Sequence, residues 1–154
     1  MTYKASKSCQ NLVNRIELLE NDALFNAGVG SQIQSDGQVR MSASIMDAVS
    51  LRFGGVINIQ NVKNPIRIAE QLLPYDDRVL GGEGANAFAQ KMQTPFFDPR
   101  TPQRIAEYEA KLAATGTGTV GCVALDAAGR LAAATSTGGK GFEMVGRISD
   151  SATV

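Results

Sequence analysis

The chain has 154 residues, with 15 Lys+Arg against 15 Asp+Glu, a 44% hydrophobic fraction and a 19% charged fraction. That is the composition of one globular domain able to bury a core, and it excludes a disordered chain. With zero formal charge and no basic run, a nucleic-acid partner is not expected, because phosphate binding needs clustered Lys and Arg.

Leu12, Val13, Ile16 and Leu19 recur at helical spacing within residues 9 to 20, so a helix is expected there, ending near Asn21-Asp22. Phe25 to Ser31 is a glycine-bearing loop. Ser35-Asp36-Gly37-Gln38 reads as a tight turn between two strands, the second running from Val39 to Ile45. Phe53 to Ile59 reads as a strand. Asn64-Pro65 opens a helix through Ile66, Ile68, Ala69 and Leu72, with proline in its first turn. Pro74 to Asp77 stops it.

Arg78 to Gly82 is a short strand, and Gly84 to Gln93 a second short helix that ends before Pro95. Phe96 to Pro102 is expected as extended surface, followed by a polar helix from Ile105 to Leu112. Ala113 to Gly118 is small and flexible, like a linker. Val120 to Leu125 and Leu131 to Thr135 form a hairpin around Asp126 to Arg130. Both of its strands carry small apolar residues, as a sheet buried on both faces requires. The order implies an α+β arrangement of sheet and helix layers.

No histidine occurs, and the only cysteines are Cys9 and Cys122, so a zinc site is not expected. Two cysteines fit either one disulfide or a reduced protein. Met1 to Gln10 lacks the apolar core of a signal peptide, and no apolar run reaches the length of a membrane span. A cytoplasmic location without a membrane partner is the expectation.

Thr119 follows Gly118 and has two readings. It is a β-branched strand residue, or a hydroxyl nucleophile whose base, without histidine, is the amine of an N-terminal threonine. Gly118 can adopt the strained backbone that a self-cleaving peptide bond needs. Thr137 is a turn residue or a hydroxyl partner, and Gly138-Gly139 behind it let a substrate approach the backbone. Arg147 and Asp150 are a surface ion pair or an amino-acid clamp. Arginine holds a carboxylate with two parallel bonds, while aspartate accepts from an ammonium. Asn26 reads as a turn residue by itself.

Together these segments resemble the plant-type (type III) L-asparaginases and isoaspartyl peptidases, of the N-terminal-nucleophile hydrolase family. The resemblance runs from Leu18 to Val154. It rests on Leu24-Phe25-Asn26-Ala27-Gly28, Ser42 to Asp47, Lys63-Asn64-Pro65-Ile66, Gly82-Glu83-Gly84-Ala85, Gly118-Thr119-Val120-Gly121, Thr135-Ser136-Thr137-Gly138-Gly139 and Gly146 to Ser151, in that order. Gly139-Lys140-Gly141-Phe142-Glu143 looks like the cyanobacterial-type branch. A glycosylasparaginase is the alternative within the class, but that branch usually has Asn where this chain has Gly138.

The resemblance implies a four-layer αββα sandwich, here partial, in a single domain over 1–154. It implies autocatalytic cleavage between Gly118 and Thr119, giving an α-like segment 1–118 and the start of a β-like segment from 119. It assigns Thr119 as nucleophile, Thr137 and Asn26 to the catalytic site, and Arg147, Asp150 and Gly139 to substrate binding. It implies a structural sodium on backbone carbonyls of Leu19, Glu20, Asp22, Phe25, Ala27 and Val29, with no cofactor for catalysis. The implied substrate is L-asparagine or a β-aspartyl dipeptide, and the implied assembly is a homo-oligomer. Members begin with a His-Gly-Gly-Ala-Gly strand and continue past the Arg-Asp clamp to a Thr-Gly segment. This sequence shows neither and has Ala48 at a usual glycine, so an incomplete member is expected, with a non-catalytic fragment as the further alternative.

Overall fold

The computed structural model describes residues 5–111 and 119–150. Helix α1, Lys7–Glu20, starts at Ser6, whose Oγ accepts the Cys9 N–H at 3.2 Å. This cap satisfies one of the donors that a helix start leaves unpaired. Cys9, Leu12, Val13 and Ile16 recur at i, i+3, i+4 and i+7, and all are fully buried. Helix α2, Pro65–Leu72, begins on proline and buries Ile66, Ile68, Ala69 and Leu72. Two further helices, α3 (Gly82–Lys91) and α4 (Pro102–Lys111), complete the described α-helices.

Strands β1 (Met41–Asp47), β2 (Arg52–Ile59), β3 (Val79–Gly81), β4 (Val120–Leu125) and β5 (Leu131–Thr137) form one sheet in the order β3-β2-β1-β5-β4. Neighbours pair antiparallel except β2 and β3, which α2 connects as a parallel crossover. The β1–β2 register slips between Met41 and Ala43. Asn58 absorbs the extra residue at φ +55 and donates its N–H to Ser42 Oγ at 3.2 Å.

Side chains alternate between the two sheet faces. Ala43 and Ile45 of β1, Val56 of β2 and Ala132 and Ala134 of β5 meet the apolar faces of α1 and α2 in one core. Buried Asp47 ties β1 to the start of α1. It accepts from Ser6 Oγ at 2.9 Å and from Ser50 Oγ at 3.0 Å.

Two expectations need correction. The turn at Ser35 to Gly37 forms, with Gln34 N–H donating to Gln38 O at 2.8 Å, but among the described residues no strand precedes it and β1 starts only at Met41. Gln32 and Gln34 spend their polar groups on Asn26, Glu143 and Arg40 instead of a ladder. The β4–β5 hairpin is not buried on both faces either. Its second face leaves Val123 72%, Leu125 66% and Leu131 49% exposed. Small apolar residues mark strands that can be covered, and the described elements cover one side only.

Cys9 and Cys122 are both free thiols. No described helix is long and apolar enough to cross a membrane. The linker and Gly118 fall outside the described residues.

Candidate active site

Thr119 stands just before β4 and Thr137 ends β5, which brings together two residues eighteen apart. Thr119 Oγ1 donates to Thr137 Oγ1 at 3.1 Å. Thr137 is buried and also accepts the Gly139 N–H at 3.2 Å, whereas Thr119 is exposed. One hydroxyl is therefore fixed and the other is presented to solvent beside it.

The two threonines share a cavity of about 100 Å3 with Gly139, Lys140, Arg147, Ser149 and Asp150. The arginine and aspartate thus lie in the same recess as the hydroxyl pair. A larger cavity, about 440 Å3, lies between α2 and residues 92–97 and shares no lining residue with it. That larger space holds neither the threonine pair nor the Arg–Asp pair.

Asn26 works behind this recess. Its Nδ2 donates to Gly139 O, its Oδ1 accepts the Gln32 N–H at 3.0 Å, and its own carbonyl accepts the Gly138 N–H at 2.9 Å. It is 8% exposed, and its side chain holds the glycine turn that borders the recess.

The turn itself admits only glycine. A Cβ at Gly138 would lie 2.3 Å from Ser31 Cβ. Gly139 has φ +84, and a Cβ there would lie 1.9 Å from Glu143 Oε1.

Sequence reasoning gave no role to several neighbouring side chains. Lys140 and Ser149 line the recess, and buried Glu143 sits under Gly139 while accepting from Gln34 Nε2 at 3.3 Å. Glu20 is fully buried, and its Oε1 accepts from Ser136 Oγ at 2.7 Å and from the Ile66 N–H at 3.1 Å. Burial pushes its carboxyl up to about 7, against the opposing pull of hydrogen bonds from Ser136, Ile66 and Asn64, and the nearby charge of Glu17 adds to the rise. The available signal was a glutamate on the apolar side of an amphipathic helix, where a charge needs a partner.

The loop from Leu19 to Val29 gathers carbonyl oxygens against bare glycine backbone. A Cβ at Gly28 would lie 2.3 Å from Glu20 O, and one at Gly30 would lie 1.9 Å from Phe25 O. Among the described residues no group of three or more acidic or cysteine side chains could hold a metal.

One five-stranded sheet with packed helices carries a recess that joins two threonine hydroxyls to an arginine and an aspartate, and the sequence comparisons identify the family. Residues 1–116 and 102–154 match the family model described as asparaginase. The chain belongs to this N-terminal-nucleophile hydrolase family, whose fold is an α–β sandwich. It is 50% identical to the isoaspartyl peptidase/L-asparaginase of Synechocystis sp., over 92% of this chain and 48% of that protein. The protein of the same description from Nostoc sp. is 48% identical over 92% of this chain and 51% of its own length. The plant-type L-asparaginase of Pyrococcus furiosus is 39% identical over 88% and 51%. The chain spans about half the length of the curated relatives it matches.

Proposed function

We propose that this chain carries the nucleophile half of an amidohydrolase acting on the side-chain amide of L-asparagine or on β-aspartyl dipeptides. The observation that carries the reading is the Thr119–Thr137 hydroxyl pair at 3.1 Å, in one recess with Arg147 and Asp150. The names of the relatives support the substrate class.

Cleavage of the Gly118–Thr119 bond frees the Thr119 amine. That amine takes the Thr119 hydroxyl proton as the oxygen attacks the side-chain carbonyl of the substrate. Thr137 Oγ1 fixes the direction of the hydroxyl. The C–N bond breaks, the proton leaves with ammonia or an amine, and an aspartyl ester remains on Thr119. Water then attacks the ester, releases aspartate and returns the proton to Thr119. Arg147 pairs with the substrate α-carboxylate and Asp150 with its ammonium, so both ends of the head group are read. Asn26 holds the Gly138-Gly139 turn that borders the bound substrate.

The carbonyls of Leu19, Glu20, Asp22, Phe25, Ala27 and Val29 would hold a structural sodium, a hard cation that prefers oxygen ligands. The support is the crowding of Glu20 O and Phe25 O against Gly28 and Gly30. Such an ion would order the loop that carries Asn26 and would take no part in bond making.

The test is intact mass after incubation, followed by assay against L-asparagine, β-aspartyl-leucine and a glycosylated asparagine. Two species split between Gly118 and Thr119, with turnover of either of the first two substrates, is the expected result. Turnover of the glycosylated substrate alone would overturn the assignment. A second reading rests on the open β4–β5 face with Val123, Leu125 and Leu131 exposed. In that reading this chain is inert until the face is covered, and a single uncleaved mass supports it.

A further inference from the structure

We propose that Glu20 is a positioning residue for the Thr119–Thr137 pair, acting through Ser136. The inference rests on reading that pair as the reacting site.

Ser136 sits between Thr135 and Thr137 on β5. Successive strand side chains point to opposite faces, so Ser136 faces the helices while Thr137 faces Thr119. Glu20 Oε1 holds Ser136 Oγ at 2.7 Å from the helix side. The same oxygen accepts the Ile66 N–H at 3.1 Å, in the first turn of α2. One oxygen therefore ties the end of α1, the start of α2 and the residue before Thr137.

The chain leaving Glu20 leads within a few residues to Asn26. Asn26 grips the other side of Thr137 through Gly138 N–H at 2.9 Å and through Gly139 O. Thr137 is thus held between two anchors, and both arise from the same helix end and the loop that follows it. Glu20 is fully buried, as is Ser136. A hydrogen bond in such a low-dielectric setting is strong, and breaking it leaves a buried polar group unpaired. The height of Thr137 in the recess is therefore set from the opposite face of the sheet.

The experiment compares Ser136→Ala, Glu20→Ala and Glu20→Gln with the unmodified protein, each checked for folding by circular dichroism. Amide hydrogen exchange is read by NMR at Gly139, whose N–H donates to Thr137 Oγ1, and at Gly129 in the distant β4–β5 turn. We expect Ser136→Ala and Glu20→Ala to speed exchange at Gly139 about tenfold while leaving Gly129 unchanged. Glu20→Gln keeps the accepting oxygen and restores the Gly139 rate to within about threefold. Unchanged exchange at Gly139 in folded Ser136→Ala overturns the proposal, as does an equal rise at Gly129.

Kinetics give a second readout. Per folded molecule, kcat in Ser136→Ala falls about tenfold with KM within about twofold. An unchanged kcat per folded molecule also overturns the proposal. Thr119→Ala separates the two inferences, because retained hydrolysis in that variant sinks the reading of the pair itself, whereas the Gly139 exchange result judges Glu20 alone.

Discussion

Thr119 donates its hydroxyl hydrogen to the hydroxyl of Thr137 across 3.1 Å, and the Gly139 N–H donates to that same acceptor at 3.2 Å. The acceptor is buried and the donor is exposed. Thr137 is consequently a fixed reference for the Thr119 hydroxyl, and the following outcomes depend on it.

Thr137→Val keeps the shape and removes the acceptor. Positioned proton-handling groups contribute about 10²- to 10⁴-fold, so kcat is expected to fall at least about 100-fold. Steady-state hydrolysis of β-aspartyl-leucine measures this. A variant within about threefold of the parent would remove Thr137 from the reaction.

Gly139→Ala forces a side chain into φ +84 and against Glu143 Oε1. Strain and overlap together are expected to cost about 2–3 kcal/mol of stability. Urea unfolding gives the number, and a change below about 0.5 kcal/mol would mean that the turn relaxes freely.

Asn26→Ala strips the side-chain partners from Gly139 O and the Gln32 N–H in a buried place. A loss of about 1–3 kcal/mol is expected from buried groups left unpaired. Thermal melts compared with Asn26→Asp, which retains the Oδ1 acceptor, separate the two bonds. If Asn26→Ala melts with the parent, Asn26 is not the anchor of this turn.

The two thiols should behave differently. Burial, reinforced by the charges of Asp47 and Glu70, pushes Cys9 up to about 12, while Cys122 is only partly buried. Iodoacetamide at pH 8 is expected to label Cys122 and spare Cys9 in the folded protein. The unfolded chain loses the Cys9 proton near pH 8.5, but the folded chain keeps it to about 12. The stability due to Cys9 is thus complete below the unfolded value and is lost as pH rises from there toward 12. Denaturant midpoints measured from pH 7 to 11 in Cys9→Ala should lack that decline, and an identical slope would assign it elsewhere.

A cation held by carbonyl oxygens of the loop from Leu19 to Val29, as proposed, would stabilise the folded state by mass action. Melting in sodium chloride is expected to occur above melting in choline chloride of equal ionic strength. Equal melting temperatures would leave the loop without a sodium site.

Much of this arrangement was legible in the chain order. The apolar spacing of Leu12, Val13 and Ile16 announced α1, Pro65 marked the start of α2, and Asp126 to Arg130 marked the β4–β5 turn. Thr119, Thr137, Gly139, Arg147 and Asp150 were named as candidates, and the fold gathers all five around one recess. The strand expected before Ser35 was not there, because turn residues report a reversal of direction and not what pairs on either side of it.

Sequence alone determined the family and the helices and strands whose apolar periods are local, because such a period is written in residues a few positions apart. Tertiary structure decided which face of the sheet each side chain serves and which distant groups meet. Glu20 and Ser136 lie 116 residues apart, and their bond exists only because β5 pairs beside β1 under the end of α1. No local pattern encodes that meeting. It follows from strand order and from the need of a buried carboxyl to find a donor wherever packing places one.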